Sequence, residues 1–463
     1  VANSCRFNDD DNPKMVVTPS SSGTNAGLKY TLSAWVKLGN IGADKTIWSC
    51  SSDTYIYITG AGVISCNFRR DGGTNYQYES TRRLRDPSAW YHIVMRVDTT
   101  DSTDADKVQV YVNNEEDTPS ITSYQNMADD FETGGNVSGI EQRIGVYSDG
   151  SLDFDGYMAE VIMVDNQSLA PTSFGEYDSD TPTIWKPKDI SDISVGTNGY
   201  YLDFEDSSNL GNNAAGSGSA DLTETNLDAT DQATDTPTNN FCTLNPLYLA
   251  ATSYTIEEGN LQITASASNA WRSLYTTMPV TSGKWYYEMK LDAEYGGAGI
   301  GNFTPGIVDI EQVVQTSSNG KFFGTSRGYA YHAKDGKKLN NDTVTDNGPD
   351  YGDAWTTGDI VGCAFDLDNQ KIYWSKNGTW QDSGDPTSGA TGTGSAFDIG
   401  SGYTYTPVIA NYYTEENYSF NFGGCPAFAI SSGNADADGY GNFEYAVPSG
   451  YYALCTKNLA EYG

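Results

Sequence analysis

Carboxylates are the most abundant groups in this chain that could do chemistry, with 61 Asp and Glu against 26 Lys and Arg in 463 residues. Hydrolysis of a glycosidic bond needs two carboxyl groups held about 5–10 Å apart across the sugar. A run such as Glu-x-Asp-x-Glu, or one residue longer, on one strand would point its acids to the same face. The nearest match, EYDSD at residues 176–180, ends in Asp and lies in a turn-rich segment. The sequence therefore favours a protein that is not an enzyme.

The chain has two histidines, and a Ser-His-Asp site would have to use one of them as its base. His92 lies in WYHIVMRV, a predicted strand, where a packed side chain is expected. His332 lies in GYAYHAKDG, a predicted turn beside aromatic and charged residues, where a binding role is the better hypothesis. Neither setting predicts a catalytic base.

Carbohydrate binding needs aromatic faces that pack on the C–H patches of a sugar, together with polar groups that hold its hydroxyls. Aromatic residues occur in predicted loops of both halves of the chain, near Arg69 and Arg70 in the first half and in a long insertion in the second. These candidate glycan-binding residues are Tyr76, Tyr78, Tyr329, Tyr331, His332, Tyr351 and Trp355. The alternative for each is packing in the core or at a sheet edge.

One loop has the spacing of a calcium site. Asn434, Asp436, Asp438 and Asn442 place oxygen-bearing side chains at alternate positions around a glycine turn, and oxygen ligands suit Ca²⁺. Tyr occupies the twelfth position, where a bidentate acid is expected, and no helices are predicted on either side. The loop is therefore either a calcium site, with Ca²⁺ as the candidate cofactor, or a plain Asx-rich turn.

The elements that must position these residues are strands. Short runs of alternating apolar and polar residues recur between clusters of Gly, Ser, Asn and Asp, as in YTLSAWVKL at 30–38 and GKWYYEMKL at 283–291. Two segments, 90–115 and 359–380, each read as a pair of strands joined at an Asp-rich corner. We expect Trp35, Trp285 and Trp374 to lie in cores. The pattern predicts an all-β protein made of two related sandwiches.

A low-complexity stretch divides the two halves. Residues 205–240 are rich in small polar side chains and contain no aromatic residue, which is typical of a flexible or extended connector. The predicted division is a first β-sandwich at residues 1–206, a polar connector at 207–247, and a second β-sandwich with a C-terminal extension at 248–463.

Charge and hydropathy exclude several classes of protein. A formal net charge of −35 argues against binding to a nucleic-acid backbone, which requires a basic face. No apolar run approaches the roughly 20 residues of a membrane helix, so no membrane insertion is expected. Scattered cysteines in odd number, and an N-terminus without a signal peptide, disfavour a secreted lectin.

Several motifs carry family resemblances. SAWVKL, DPSAWYHIVMRVDTT, KVQVYVNNEE and FDGYMAEVIMVDNQSLAPTSFGE resemble a laminin-G/concanavalin-A-like jelly roll. SGKWYYEMKL and GDIVGCAFDLDNQKIYWSKNGTW resemble a SPRY domain, whose inter-strand loops form a ligand surface. The resemblance implies two concanavalin-like antiparallel β-sandwiches, or jelly rolls, in tandem joined by a polar connector.

The order of these motifs, together with TDTPTNNFCTLNPL and the closing SGYYALCT, resembles structural proteins of marine tailed phages. This resemblance implies a non-enzymatic virion surface or tail-fibre protein that adheres to host-surface glycans through its sandwich loops. The alternative is a capsid decoration or fibre-joining protein without glycan binding; a glycan-processing enzyme or a secreted lectin fits less well. The implied partners are other virion proteins, host glycans and further copies of this chain, with a trimer favoured.

Overall fold

The computed structural model describes residues 1–21, 23–51, 53–70, 72–248, 253–266, 270–295, 302–313, 320–342 and 348–463. In this part of the chain the regular structure is almost entirely β-strand, and the one α-helix is α1 (Thr456–Tyr462). Short 3₁₀ turns lie at Asp9–Asp11, Asp104–Asp106, Ser123–Asn126, Pro171–Ser173, Ala229–Asp231, Ile310–Gln312, Phe322–Gly324, Gln381–Ser383 and Pro386–Thr391. The all-β prediction is confirmed.

The chain divides into two compact units, Val1–Thr238 and Asn239–Gly463. The strands of the first unit are β1 (Ser4–Phe7), β2 (Lys14–Val17), β3 (Lys29–Leu38), β4 (Lys45–Cys50), β5 (Tyr55–Ile58), β6 (Val63–Phe68), β7 (Tyr76–Arg83), β8 (Trp90–Asp98), β9 (Val108–Val112), β10 (Glu115–Glu116), β11 (Pro119–Thr122), β12 (Gln142–Ile144), β13 (Gly156–Asp165), β14 (Gly175–Tyr177), β15 (Trp185–Pro187), β16 (Tyr200–Leu202), β17 (Thr223–Thr225) and β18 (Gln232–Ala233).

Two eight-stranded antiparallel sheets form the first unit. One has the order β10-β9-β8-β3-β13-β1-β18, with β16 also paired to β13, and the other has the order β11-β7-β6-β5-β4-β12-β2-β17. Inward-facing side chains of both sheets, such as Leu32, Trp48, Ile56 and Met95, form the main core. Strands β14 and β15 form a separate hairpin that packs on the outer face of the first sheet, where Trp185 contacts His92.

The second unit has the strands β19 (Tyr254–Glu257), β20 (Gln262–Ala265), β21 (Arg272–Tyr275), β22 (Lys284–Ala293), β23 (Phe303–Asp309), β24 (Gly328–Tyr331), β25 (Lys338–Asn340), β26 (Ile360–Asp366), β27 (Lys371–Lys376), β28 (Thr379–Trp380), β29 (Phe397–Asp398), β30 (Tyr405–Asn411), β31 (Asn417–Asn421) and β32 (Tyr452–Ala453). One sheet has the order β19-β20-β31-β22-β26-β27-β28, with β29 paired to β27 and β32 paired to β22. The other has the order β21-β30-β23-β24-β25.

Both predicted hairpins are present. Strand β8 pairs with β9, with Ile93 opposite Val112, and β26 pairs with β27, with Cys363 opposite Trp374. The predicted core tryptophans are buried, since Trp35 is 3% exposed and Trp285 and Trp374 are fully enclosed. Alternation with a period of two was enough to predict these elements because each strand buries one face.

The predicted connector at 207–247 differs from the structure. Strand β17 pairs with β2 and β18 pairs with β1, so residues up to 238 belong to the first unit. Asp235 is buried, its Oδ2 lies 2.6 Å from Lys37 Nζ, and its Oδ1 accepts a hydrogen bond from Trp90 Nε1. A few long-range contacts therefore fix a segment whose composition is typical of a flexible linker.

Candidate functional site

The two tyrosines predicted as sugar-binding residues in the first unit lie on β7 and not in a loop. Tyr78 is 1% exposed, and its hydroxyl donates to Asp117 Oδ2 at 3.0 Å. Tyr76 is half-buried and packs edge-to-face on Phe131, with the ring centroids 5.0 Å apart. The burial of Tyr78 contradicts its predicted role, because an enclosed ring cannot stack on a sugar.

The aromatic candidates of the second unit form a core cluster. Tyr331 stacks on Trp355 with ring centroids 6.0 Å apart, contacts Tyr351 edge-to-face at 5.6 Å, and lies over Trp374. Tyr329 and Tyr351 are both 5% exposed, and Trp355 is 2% exposed. The structure encloses these four rings instead of presenting them in loops: Tyr329 and Tyr331 lie on β24, and Tyr351 and Trp355 pack against Tyr331.

His332 is also enclosed. It is 2% exposed, its Nδ1 lies 2.7 Å from Asp335 Oδ1, and its Nε2 lies 3.3 Å from Asn302 Oδ1. Both ring nitrogens therefore have protein partners. This contradicts the predicted binding role, since neither nitrogen is left to contact a ligand.

The predicted calcium loop is held by protein hydrogen bonds. Asp436 is 8% exposed and accepts four of them: Oδ1 from the backbone N–H groups of Asp438 and Tyr440, and Oδ2 from Ala453 N and Asn458 Nδ2. Because both oxygens are occupied, the loop is an Asx-type turn that anchors the C-terminal segment.

The other members of that loop do not converge with Asp436 on one point. Asn434 donates its amide to the carbonyls of Phe443 and Glu444, and Asp438 Oδ2 accepts from the Tyr462 hydroxyl. Asn442 accepts a bond from Asn421 through its backbone carbonyl. Among the described residues, no three His, Cys, Asp or Glu side chains form a group that could hold a metal ion. The calcium prediction for this loop is not supported by its geometry.

His92 forms a hydrogen-bonded pair with a serine, but the geometry opposes catalysis. Its Nε2 lies 2.8 Å from Ser33 Oγ, its Nδ1 accepts from Trp185 Nε1 at 2.9 Å, and its ring stacks on Trp35 at 4.7 Å. Because the indole N–H donates to Nδ1, the proton of the neutral ring is on Nε2, which therefore donates to the serine instead of accepting its proton. Burial lowers the pKa of His92 to about 3, so the ring stays neutral.

The structure brings together a different set of rings at the surface of the first unit. Tyr55 and Tyr57 lie on β5, with Tyr147 packed edge-to-face on Tyr55 at 5.0 Å and Tyr57 at 5.4 Å from Tyr55. All three side chains are partly exposed. We call these three residues the tyrosine face. Their signal was present in the sequence YIYI, because Ile56 and Ile58 face the core and so direct the two tyrosines to solvent.

Polar groups lie next to the tyrosine face. Asp53 Oδ1 accepts from the Tyr147 hydroxyl at 3.4 Å and from Ser148 Oγ at 3.2 Å, while its Oδ2 pairs with Arg69 at 2.9 Å. Burial raises the pKa of Tyr55 and of Tyr147, so both hydroxyls remain protonated donors. Exposed rings beside a carboxylate and a guanidinium are the groups that bind the C–H face and the hydroxyls of a sugar.

A second exposed ring group lies in the other unit. Tyr295 is 38% exposed and stacks on Tyr413 with centroids 4.9 Å apart and an interplanar angle of 12°. Tyr412 contacts Tyr413 edge-to-face at 5.0 Å. The ring contacts of these three described residues are with one another and not with a charged side chain, so the tyrosine face is the better-equipped candidate site.

Comparison with known protein families agrees with the two-unit architecture. Residues 10–170 match the profile of the concanavalin A-like lectin/glucanases superfamily, and residues 284–425 match that of the SPRY domain. The chain carries a concanavalin-like domain and a SPRY domain. The tyrosine face lies within the concanavalin-like domain. No helix in the described residues has the length and apolar character needed to span a membrane.

Curated relatives resemble part of the chain. It is 27% identical over 130 residues to a Ran-binding proteins 9/10 homolog of Drosophila melanogaster, covering 27% of this chain and 12% of that protein. It is 27% identical over 147 residues to the E3 ubiquitin-protein ligase RKP of Arabidopsis thaliana, covering 32% of this chain and 10% of that protein. The chain thus spans only about a tenth of the length of these relatives.

Solved structures show limited likeness to the chain. The SPRY domain of human HERC1 is 18% identical with a TM-score of 0.28, covering 40% of this chain and 99% of that one. A Bacteroides ovatus protein described as a candidate carbohydrate-binding protein is 18% identical with a TM-score of 0.32, covering 49% of this chain and 60% of that one. A pentraxin from Limulus polyphemus is 15% identical with a TM-score of 0.27, covering 36% of this chain and 78% of that one.

Proposed function

We propose that this protein is a non-enzymatic glycan-binding protein whose concanavalin-like domain binds carbohydrate on the tyrosine face. The observation that carries the proposal is the group of three partly exposed rings, Tyr55, Tyr57 and Tyr147, packed beside the Asp53–Arg69 ion pair. The rings supply flat apolar area for the C–H face of a sugar. The charged pair and the tyrosine hydroxyls supply hydrogen bonds to its hydroxyl groups.

The acid run at 176–180 supports binding over hydrolysis. A glycosidase needs one carboxyl group whose pKa is raised, so that it can protonate the leaving group. In the run at 176–180, Asp178 Oδ2 lies 2.9 Å from Lys186 Nζ, and this hydrogen bond lowers the pKa of Asp178. The nearest match to a catalytic acid run therefore stays ionised, which supports a non-enzymatic role.

We place the protein on the surface of a tailed-phage particle, as an appendage or tail-fibre component that adheres to host glycans. This placement rests on the resemblance of TDTPTNNFCTLNPL and SGYYALCT to phage structural proteins. Its partners would be other virion proteins and further copies of this chain. The alternative, a decoration or fibre-joining protein, keeps the same location without glycan binding.

A glycan array tests the binding proposal. We expect the wild-type chain to bind at least one glycan class, and Tyr57→Ala to lose at least tenfold in affinity because one stacking ring is removed. EDTA should leave binding unchanged, since no metal is assigned to the tyrosine face. The matched control is Tyr177→Ala, an exposed tyrosine on β14, which belongs to the hairpin over the other sheet.

Two results would reject the proposal. If no glycan is bound, or if Tyr57→Ala binds as well as the wild-type chain, the tyrosine face is not a carbohydrate site. Electron microscopy of the particle tests the location independently, because a tail-tip position supports host adhesion and a regular array on the shell supports decoration.

A further inference from the structure

The first unit contains a cavity of about 530 Å³ that has no role in the glycan-binding proposal. Strands β13 and β16 and the segments 187–195 and 214–215 form its walls. The lining combines apolar side chains, Pro187, Ile190, Ile193, Val195, Ala214 and Ala215, with the polar ones of Lys188, Asp189, Ser191, Tyr201 and Glu205. Its volume is within the range of sites that hold small molecules.

A β-bulge directs Glu160 into this cavity. Met158, Val161 and Met163 face the main core, whereas Ile162 faces the outer cluster beside the cavity. Strict alternation from Met158 would turn residue 160 into the core, but the register of β13 against β3 shifts between Ala159 and Ile162. The shift re-aims Glu160 outward, and its φ of 49° is a strained value for a residue with a side chain.

The Glu160 carboxylate is only half satisfied. Its side chain is 6% exposed, and Oε2 accepts a hydrogen bond from the Tyr201 hydroxyl at 2.8 Å. Among the described residues, no donor is bonded to Oε1. A carboxylate oxygen that has no protein donor and opens onto a cavity is well placed to accept a hydrogen bond from a ligand.

The charges around the cavity favour a cation. Asp203 and Glu205 face Glu160 closely enough to raise its pKa, in addition to the larger effect of burial. Asp189 and Glu205 also line the cavity, together with Lys188, so its carboxylates outnumber its lysine. A positive charge in this space therefore stabilises the ionised carboxylate.

We propose that this cavity binds a small organic amine, with the ammonium group at Glu160 Oε1 and the aliphatic body against Ile190, Ile193 and Val195. An amine fits better than a metal ion, because Ca²⁺ requires six to eight oxygen ligands and the cavity presents one buried carboxylate. An amine also fits better than a neutral polyol, because Glu160, Asp189 and Glu205 give the cavity more negative than positive groups.

The experiment uses the full chain at pH 8, where Glu160 is mostly ionised, with 1,4-diaminobutane as the probe and 1,4-butanediol as its neutral counterpart. Binding is measured by calorimetry, and the methyl NMR signals of Ile190, Ile193 and Val195 report its position. We expect the diamine to bind and shift these signals, and the diol to do neither. Glu160→Gln should weaken diamine binding at least tenfold.

The matched control is Asp130→Asn, which removes the same charge from an exposed position whose φ of 58° suits Asn. It should bind the diamine within twofold of the wild-type chain. Ala215→Phe fills the cavity while keeping Glu160, and should also abolish binding. This second variant keeps the test decisive if Glu160→Gln does not fold.

Any one of the following results would overturn the proposal. They are the absence of diamine binding up to about 10 mM, equal binding of the diol, unchanged binding by Ala215→Phe or a folded Glu160→Gln, and an equal loss in Asp130→Asn. The last result would show that the diamine responds only to the net negative charge of the protein. Methyl shifts confined to other parts of the chain would overturn it as well.

Discussion

Two buried carboxylates, one in each unit, show how similar groups take different roles. Asp436 accepts four hydrogen bonds from the protein, two on each oxygen, and these bonds connect its own loop to the C-terminal segment. Glu160 accepts one, from Tyr201, and its other oxygen faces a cavity. The sequence pattern drew attention to the first residue and gave no signal for the second.

The difference teaches that oxygen ligands in a suggestive spacing do not by themselves make a site. A carboxylate whose lone pairs are filled by backbone and amide donors contributes to folding, because removing it leaves several donors buried without partners. A carboxylate with a spare oxygen next to open volume is instead available to a ligand. The distinction depends on long-range contacts, which spacing along the chain does not contain.

The largest expected effect is that of Asp436→Ala. We expect it to destabilise the second unit by about 3–5 kcal/mol, because four donors lose a charged acceptor. Chemical denaturation followed by tryptophan fluorescence measures the change. Asp438→Ala, at an exposed position with one bond to Tyr462, is the control and should cost less than about 1 kcal/mol. Equal effects of the two substitutions would contradict the anchoring role.

Glu160→Gln should stabilise its unit, whereas Asp436→Ala destabilises its own. Burial raises the pKa of Glu160 to about 7, above its unfolded value, so the folded state binds the extra proton between about pH 4.5 and 7. The stability contributed by this group is therefore present at low pH and lost as pH rises through 7. Replacing it with neutral Gln should stabilise the first unit by about 2–3 kcal/mol at pH 8 and little at pH 4.

Unfolding free energies measured from pH 4 to 8 check this prediction. The slope between pH 5 and 7 should be smaller in Glu160→Gln than in the wild-type chain. Because Gln can still accept the bond from Tyr201, loss of that bond does not mask the effect. A variant that is less stable at pH 8 would show that Glu160, like Asp436, serves the fold.

Tyr201→Phe should have a smaller effect. We expect it to destabilise the first unit by about 1 kcal/mol at pH 8, because it removes one hydrogen bond to an ionised group. The same bond lowers the pKa of Glu160, so the variant should raise that pKa further. Carbon NMR of the Glu160 carboxyl group measures the shift directly. An unchanged pKa would mean that Tyr201 does not control the charge of the cavity.

The smallest expected effect concerns calcium. If the loop around Asp436 does not bind Ca²⁺, then 5 mM CaCl₂ should change the thermal midpoint of the wild-type chain and of Asp438→Asn equally, within about 1 °C. Differential scanning calorimetry with calcium and with EDTA measures both. A calcium-dependent stabilisation that Asp438→Asn abolishes would restore the loop as a metal site and remove the contrast with Glu160.

The sequence was sufficient for the strands and the two hairpins, because alternation reports which face of each strand is buried. It also indicated the core tryptophans. It failed for the aromatic rings of β24, since Tyr329 and Tyr331 read as loop residues beside a turn when they are in fact strand residues facing inward. It failed for the predicted connector because the partner of Asp235, Lys37, lies 198 positions away.

The candidate site was less predictable than the fold. The tyrosine face combines Tyr55 and Tyr57 with Tyr147, which lies on a different segment, and only the folded sheet brings them together. The cavity depends on a bulge that shifts Glu160 by one position, and such a shift reverses which face a side chain occupies. Neither feature is a property of local spacing.

The second unit begins and ends at the same place. Cys242 N donates to Leu454 O, Thr456 N donates to Asn240 O, and Phe241 bridges to Cys455, so the first residues of the unit run alongside the last strand and the start of α1. Tension applied between residues 239 and 463 would therefore peel these few bonds apart one at a time and leave the sheets unstrained. Under force, the second unit would therefore lose the contacts between residues 240–242 and 454–456 before its core opens.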